Sequence, residues 1–172
     1  MNIKLGKYRK NRKIDIKIDN FDIWNLDYTL ALIIHPCLVK LKERKAGSGF
    51  VDDEDVPEEL RSYNAPPKEH DYELDDNFHK RFQYILQEMS WAFGEYINDE
   101  RESQFYSGKS DMVFVPIDKD GNTVDKKDAV LYKWKNGPND TFSVDNDKKA
   151  VYEARISNGI RLFGKYFQTL WT

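Results

Sequence analysis

The amino-acid sequence predicts an α+β fold: a compact bundle of about three main helices, an N-terminal β-hairpin and a small antiparallel β-meander. Three observations predict this fold. Polar and apolar residues alternate near the N-terminus, long segments repeat apolar residues every three or four positions, and two β-rich runs flank a turn signal at Asp120-Gly121. The chain has 172 residues, which suits a single domain with its own hydrophobic core.

Strict alternation of residue types marks the N-terminal segment. Residues 13–19 read Lys-Ile-Asp-Ile-Lys-Ile-Asp, and residues 2–5 alternate in the same way. This period places the isoleucines on one face of a strand and the charged residues on the other, which predicts a half-buried strand. The polar residues 8–12 between the two segments predict the turn of a hairpin.

The first long helix is predicted from residue 22 or 25 to about residue 45. Its apolar stripe consists of Leu26, Leu30, Ile33, Ile34, Cys37, Leu38 and Leu41. Pro36 lies inside this pattern and lacks the amide that the helix needs, so a kink or break near Leu32 is expected. Gly47 and Gly49 end the helix.

Two more helices follow the same periodicity. The second begins after Asp75 and Asp76, either of which can cap it, and its core stripe consists of Phe78, Phe82, Ile85, Met89, Phe93 and Tyr96. The last runs from about residue 147 to residue 171. Gly159 falls on its apolar side, which allows another helix to approach closely; alternatively, Asn158-Gly159 breaks this helix in two.

The predicted meander covers residues 112–145. Residues 112–117 and 129–134 are its clearest strands, joined through the turn at Asp120-Gly121. Pro116 places the first strand at an edge of the sheet, because proline cannot donate to a strand ladder. A third strand is expected near residues 141–144.

The composition excludes several classes of protein. The longest apolar run, residues 30–34, is too short to span a bilayer, and the N-terminal residues lack the apolar core of a signal peptide. Cys37 is the only cysteine, which excludes an internal disulfide and agrees with a cytoplasmic protein. Because Cys37 falls on a helical apolar stripe, we expect a buried, inert thiol.

Charge is distributed unevenly along the chain, although the net charge is only −3. Six cations and no acid occupy residues 1–13; we call them the basic arm: Lys4, Lys7, Arg9, Lys10, Arg12 and Lys13. Eleven acids against two cations occupy residues 51–76. We call the first four of them, Asp52, Asp53, Glu54 and Asp55, the acidic stretch.

This asymmetry predicts a binding surface for a protein partner. The expected partner-binding residues are Asp52, Asp53, Glu54, Asp55, Glu58, Arg9, Lys10, Arg12 and Lys13. The basic arm could also pair with the acidic stretch of a second copy, giving a homo-oligomer. Nucleic acid is not favoured as a partner, because the pI of about 5.7 is far below the value of about 9 that is usual for such domains. An ordinary solvated surface is the alternative interpretation.

The acidic stretch also suggests a metal site. Carboxylates suit magnesium, calcium or manganese, and a site would draw its ligands from Asp53, Asp55, His79 and Glu88. The alternative is that the acids keep a loop solvated and precede a short helix that begins at Pro57. No cofactor is expected apart from this divalent metal.

Catalytic motifs are missing from the sequence. It contains no Gly-x-Ser-x-Gly elbow, no Walker loop and no dinucleotide-binding glycine pattern. No catalytic residue can therefore be named, and an enzyme is the less favoured interpretation.

Four segments resemble a group of small hypothetical proteins of tailed bacteriophages. They are residues 16–19 (IKID), 27–36 (DYTLALIIHP), 50–62 (FVDDEDVPEELRS) and 157–167 (SNGIRLFGKYF). The resemblance implies a phage origin and the cytoplasm of the infected host cell, but it brings no activity, cofactor or catalytic residue.

With the charge asymmetry, the resemblance favours a non-enzymatic accessory protein that binds a host or viral macromolecule, for host takeover or to counter a defence. The alternatives are a metal-dependent enzyme acting on nucleotides or phosphoesters, a virion structural component, and a nucleotide-binding sponge.

Overall fold

The computed structural model describes residues 1–8, 10–44 and 46–171. The chain forms two compact units. One contains Met1–Asn98 and Glu153–Thr172, and the other contains Asp99–Tyr152. A single domain would unfold as one cooperative unit. The division into two compact units does not measure cooperativity, so the single domain stays a prediction.

The described residues contain four helices and six short strands, which confirms the α+β fold with its N-terminal hairpin. In chain order they are β1 (Asn2–Leu5), β2 (Ile14–Lys17), α1 (Asn20–Trp24), α2 (Leu26–Arg44), α3 (Phe78–Tyr96), β3 (Tyr106–Ser107), β4 (Met112–Ile117), β5 (Leu131–Asn136), β6 (Ser143–Val144) and α4 (Asn146–Lys165). No described helix combines the length and the apolar character that crossing a membrane requires.

The N-terminal hairpin pairs β1 with β2 in antiparallel register, with Ile3 opposite Ile16 and Leu5 opposite Ile14. The strands and their shared isoleucine face are as predicted. The predicted burial of that face is wrong, because Ile14 remains 62% exposed and Ile16 50% exposed. Alternation determines which residues share a face, but it does not determine whether another element covers that face.

The first predicted helix is two helices. Asn25 has φ −114° and ψ 60° and separates α1 from α2. Of the predicted kink or break near Leu32, the break is wrong, since α2 is continuous through Pro36, and the kink stays a prediction. A proline removes one intrahelical hydrogen bond, but the burial of Ala31 and Leu38 on either side of it stabilises the helical path.

The hydrophobic core of the first unit surrounds α3. Phe82, Ile85 and Met89 of the predicted stripe are fully buried. Leu38 of α2 and Leu162 of α4 belong to the same core cluster. Each fully buried side chain of this kind stabilises the fold by about 1.5–3 kcal/mol before entropic costs, so α3 is the element on which α2 and α4 are assembled.

Close approach of α3 and α4 depends on Gly159. A Cβ atom at this position would overlap the Ala92 side chain and lie 2.7 Å from the Glu88 carbonyl oxygen. The predicted role of Gly159 in helix packing is therefore confirmed, and α4 continues without a break at Asn158-Gly159. The helix ends at Lys165, and a 3-10 turn, Phe167–Thr169, follows it.

The second unit contains two separate two-stranded sheets. β4 pairs with β5, with Phe114 opposite Trp134, whereas β6 pairs with β3. The predicted three-stranded meander is therefore wrong in its connections, although its strands are found close to their predicted positions. Gly121 has φ +85°, a conformation that favours glycine, in the predicted turn.

Substitution of Gly159 by alanine tests the helix contact. We expect Gly159→Ala to lower the free energy of unfolding by about 2 kcal/mol or more, because the new methyl group must displace backbone. The control is Gly164→Ala in the same helix, where nothing lies within 4 Å of an added Cβ. Its stability should be unchanged or slightly higher. Urea unfolding curves measure both, and equal stability of the two variants would contradict the close approach.

Candidate functional site

The acidic stretch lies against the C-terminal end of α4. Residues Asp53–Asp55 form a 3-10 turn. Lys165 Nζ lies 2.8 Å from Asp52 Oδ2, 2.9 Å from Glu54 Oε1 and 2.6 Å from Asp55 Oδ2. An ammonium carries three protons, so a single lysine donates one hydrogen bond to each of three carboxylates.

Asp55 is the buried member of this group, with a side chain only 2% exposed. Arg161 Nη2 donates to its Oδ1 at 2.6 Å, and the Tyr166 hydroxyl donates to its Oδ2 at 2.6 Å. The Tyr166 oxygen in turn accepts the Asp52 amide at 3.0 Å. A buried carboxylate is costly unless it is paired and hydrogen-bonded, and α4 with Tyr166 supplies all the donors that it needs.

The electrostatics of the group follow from this geometry. Burial alone would raise the pKa of Asp55, but hydrogen bonds from Lys165, Tyr166 and Arg161 bring it below the ordinary 3.8. Burial, followed by the hydrogen bond to Asp55, raises the pKa of Tyr166 to about 12. Hydrogen bonds to Asp52, Asp55 and Glu54 raise the pKa of Lys165. Around neutral pH, Asp55 is therefore a carboxylate, Lys165 an ammonium and Tyr166 a neutral phenol.

Asp53 faces a different set of partners. It accepts hydrogen bonds from the amide of Ser62, at 2.7 Å, and from the Ser62 hydroxyl. Its Oδ1 lies 3.9 Å from Nε of the buried Arg81, which also makes two hydrogen bonds to Asp75, at 2.8 and 2.7 Å, and one to the Leu60 carbonyl. The acidic stretch is therefore attached to α3 through Asp53 and to α4 through its other three carboxylates.

Glu88 has a partner of its own. Nε and Nη2 of Arg155 donate to its two oxygens at 2.8 and 2.7 Å. The Arg155 guanidinium also lies 3.9 Å from the centre of the Trp91 ring, a cation–π contact. This pair joins α3 to α4 beside Gly159, and its geometry explains Glu88 as a structural residue.

The four residues suggested as metal ligands therefore have separate partners. Asp53, Asp55 and Glu88 are engaged as described, and His79 Nδ1 lies 2.9 Å from Ser48 Oγ. Within residues 1–8, 10–44 and 46–171, the one group with ligand atoms close enough to share an ion is Asp52, Glu54 and Asp55, within 4.8 Å of one another. A divalent ion there would have to displace Lys165, and metal binding stays a prediction.

The described cations of the basic arm that were expected to bind a partner do not pair with the acidic stretch. Lys10, Arg12 and Lys13 are exposed, and Arg12 Nε donates to the Gly6 carbonyl. Arg9 lies outside the described residues. Among the ion pairs of the residues that the structure describes, none joins Lys10, Arg12 or Lys13 to the acidic stretch, whose cations come from α4 and α3. The side chain of Glu58 is also exposed. The nine partner-binding residues remain a prediction.

Sequence reasoning missed the partners of these acids. They are Arg155, which pairs with Glu88, and Arg161, Lys165 and Tyr166, which surround Asp55. A signal for two of them was present: Arg161 and Lys165 are four residues apart in a helix, so they share a face. Their positive charge is also opposite in sign to the acidic excess of residues 51–76. What the sequence could not show is which acids of the chain this face meets.

An apolar groove lies on the other side of α4, with a volume of about 570 Å³. Its apolar lining includes Ile33, Ile34, Cys37 and Leu41 of α2, together with Phe163 and Phe167. Lys40 and Arg44 also line it, and none of its described lining residues is acidic. We call this surface the α2 groove. Cys37 is exposed there, so its predicted burial is wrong: the stripe of α2 extends past the core into the groove.

A smaller cavity of about 420 Å³ lies beside the acidic stretch. Asp52, Asp53 and Asp75 line it together with Lys68 and Arg81. Three carboxylates outnumber the two cations, so its charge disfavours phosphate groups. Arg81 is already paired with Asp75, which leaves little positive charge for an anionic ligand.

Removal of the Tyr166 hydroxyl tests the group around Asp55. We expect Tyr166→Phe to lower the free energy of unfolding by about 1–3 kcal/mol, because the Asp52 amide and a buried Asp55 oxygen each lose a partner. Tyr72→Phe is the matched control, since Tyr72 is exposed, and its effect should stay within about 0.5 kcal/mol. Chemical denaturation measures the free energy of unfolding of both variants. Equal losses in the two variants would contradict a stabilising role of the hydrogen bonds around Asp55.

The lowered pKa of Asp55 predicts acid sensitivity. A carboxyl whose pKa is lower in the folded than in the unfolded state stabilises the fold fully above the ordinary pKa of 3.8, and this contribution is lost as the pH falls through the folded value. Asp55→Asn should therefore lower stability at pH 7 and flatten its dependence on pH below about 4. Asp71→Asn, at an exposed position, should leave the profile unchanged. Parallel profiles for the wild type and Asp55→Asn would contradict the assignment.

Comparisons with known proteins leave the chain without an assigned relationship. No protein-family model matches it, and neither a curated protein nor a solved structure matches it.

Proposed function

We propose that this chain is a non-enzymatic phage accessory protein that binds a host or viral protein through the α2 groove. The expected ligand is an amphipathic helix that places apolar side chains in the groove and an acidic side chain beside Arg44. The observation that carries the proposal is an open groove with an apolar lining whose charged lining residues are Arg44 and Lys40, the latter paired with Glu43.

The groove has the dimensions and rigidity that recognition requires. Its volume of about 570 Å³ lies in the range of about 300–1,000 Å³ that is usual for ligand pockets. Phe163 is held in place by the Phe93 ring, with centroids 5.0 Å apart, and Phe167 packs on Phe163 at 5.6 Å. Phe167 nevertheless remains 63% exposed. An apolar surface that is kept open in this way favours a binding role.

The charges of the groove favour an acidic ligand. Lys40 and Arg44 lie one helical turn apart on α2, so both reach the same edge of the groove. Because Lys40 Nζ already lies 3.2 Å from Glu43 Oε2, Arg44 supplies most of the attraction for an acidic ligand. Cations at the rim of an apolar site increase the association rate and the specificity for an acidic partner. A helix with apolar residues three and four positions apart and acids beside them meets both requirements.

The acidic stretch supports binding over catalysis. Its four carboxylates are already engaged by Arg161, Lys165, Ser62 and Arg81. An enzyme that used them to hold a metal would first have to release those partners. The phage origin is supported by the resemblance of residues 50–62 and 157–167, two segments that contact each other through Asp55.

The test uses Phe167→Glu and a matched control. Lysates of host cells, before and after phage infection, are passed over the wild type, Phe167→Glu and Val151→Glu, and the captured proteins are identified by mass spectrometry. Val151 is an exposed apolar residue in α4 that does not line the groove, so its substitution makes a similar apolar-to-acidic change at a residue that the ligand is not expected to contact. We expect Phe167→Glu to weaken binding of the purified partner at least about tenfold, as a central contact residue does, and Val151→Glu to leave the affinity unchanged.

Cys37 gives an independent readout at the groove. It is the only cysteine of the chain and is exposed, so its reaction rate with a maleimide reports whether the groove is occupied. Binding of the purified partner should slow this reaction. A partner that binds Phe167→Glu as tightly as the wild type, or that leaves Cys37 fully reactive, would rule out the α2 groove as its site.

A further inference from the structure

The N-terminal hairpin has an unpaired edge. β1 and β2 form a two-stranded sheet, and within the described residues β2 pairs with β1 alone. Every residue of both strands is exposed. A two-stranded hairpin is only marginally stable by itself, and an open edge is a template for another strand.

The register shows which backbone groups of β2 are available. The Gly6 amide donates to the Lys13 carbonyl at 2.9 Å, so Gly6 and Lys13 form a hydrogen-bonded pair of the antiparallel ladder. Such pairs alternate along the strand. The backbone groups of Asp15 and Lys17 therefore point towards β1, whereas those of Ile14 and Ile16 point out from the free edge. The same alternation, extended one residue past β2, would place the groups of Ile18 at that edge as well.

Residues 13–19 are complementary to themselves when reversed about Ile16. An antiparallel copy with Ile16 opposite Ile16 places Asp15 opposite Lys17 of the second copy, and Lys17 opposite its Asp15. Lys13 and Asp19 meet in the same way, and Ile14 meets Ile18. Opposite charges in directly facing positions stabilise a strand pair, and like charges destabilise it.

This register also pairs the outward backbone hydrogen-bonding groups of the two β2 strands. With the two-fold axis at Ile16, the outward groups of Ile14, Ile16 and Ile18 face one another and form the hydrogen-bonded pairs. Asp15 and Lys17 then occupy the non-hydrogen-bonded positions, where facing side chains lie closest. Moving the axis by one residue would place Asp15 against Asp15, or Lys17 against Lys17.

We propose that β2 pairs antiparallel with β2 of a second copy of this chain about a two-fold axis at Ile16. The product is a four-stranded sheet in the order β1-β2-β2-β1. Its apolar face joins the exposed Ile3, Leu5, Ile14 and Ile16 of both copies into one continuous surface. A closed two-fold contact of this kind uses the same edge twice and stops at a dimer.

Charge reversal tests the register. The molecular mass and dissociation constant of the wild type, Asp15→Lys, Lys17→Asp and the double variant are measured by analytical ultracentrifugation over a range of concentrations. The wild type should dimerise. Each single variant faces two like-charged pairs and should dimerise at least about tenfold more weakly. The double variant exchanges the charges in every pair and should recover the wild-type affinity.

Mixing the single variants gives a further test. Asp15→Lys carries lysine at both positions and Lys17→Asp carries aspartate at both, so an equimolar mixture should form a heterodimer although each variant alone stays largely monomeric. Recovery in the double variant or in the mixture cannot come from a damaged hairpin, because the substitutions are the same. Lys10→Glu makes an equal charge change in the turn and should leave dimerisation unchanged.

Three outcomes would overturn the proposal. The wild type could stay monomeric at its highest soluble concentration. The single variants could dimerise like the wild type, which would place the contact elsewhere. The double variant and the mixture could stay monomeric, which would exclude the proposed register. This outcome would also be expected if the edge of β2 paired with a strand of a different protein.

Discussion

The buried carboxylate of Asp55 is the constraint on which much of the first unit depends. It is withdrawn from water by the fold, so the chain must supply donors to it, and Lys165, Arg161 and Tyr166 all come from a segment more than 100 residues away. Between α2 and α3, the described residues 46–77 contain only isolated 3-10 turns and cannot hold themselves in place through a strand ladder. Side-chain hydrogen bonds hold these residues instead: Asp55 accepts hydrogen bonds from α4 and the residue that follows it, and Arg81 of α3 donates to the Leu60 carbonyl and to Asp75.

The pairing of Asp55 changes the functional interpretation of the acidic stretch. Free carboxylates would attract a metal or a basic partner, whereas carboxylates that are already paired with cations of α4 stabilise the fold. The features that the fold leaves unsatisfied are of a different kind: an apolar groove along α2 and an unpaired edge on β2. Surfaces whose partners are missing from the chain itself are better candidates for recognition than charges whose partners are present.

The features that the sequence predicted correctly depend on residues close together in the chain, and those that it did not predict depend on contacts between distant residues. The stripe of α3 and the close approach at Gly159 arise from helical periodicity and residue size, which are local properties, and both could be predicted. The exposure of Ile14 and the continuity of α2 through Pro36 depend on what packs nearby, which periodicity does not encode. The pairing of Lys165 with Asp55 joins segments far apart in the sequence, and charge alone could not identify which cations meet which acids.

The two proposed surfaces are physically separable even though both belong to the first unit. The intrinsic affinity of the α2 groove for one acidic helix depends on residues such as Phe167 and Arg44, and it is the same in a monomer and in a dimer. Pairing through β2 would place two grooves in one assembly, which strengthens binding only to a partner that presents two helices at a matching distance, through effective concentration. A loss of binding in a monomeric charge variant would therefore indicate a bivalent partner, whereas a loss in Phe167→Glu indicates the groove itself.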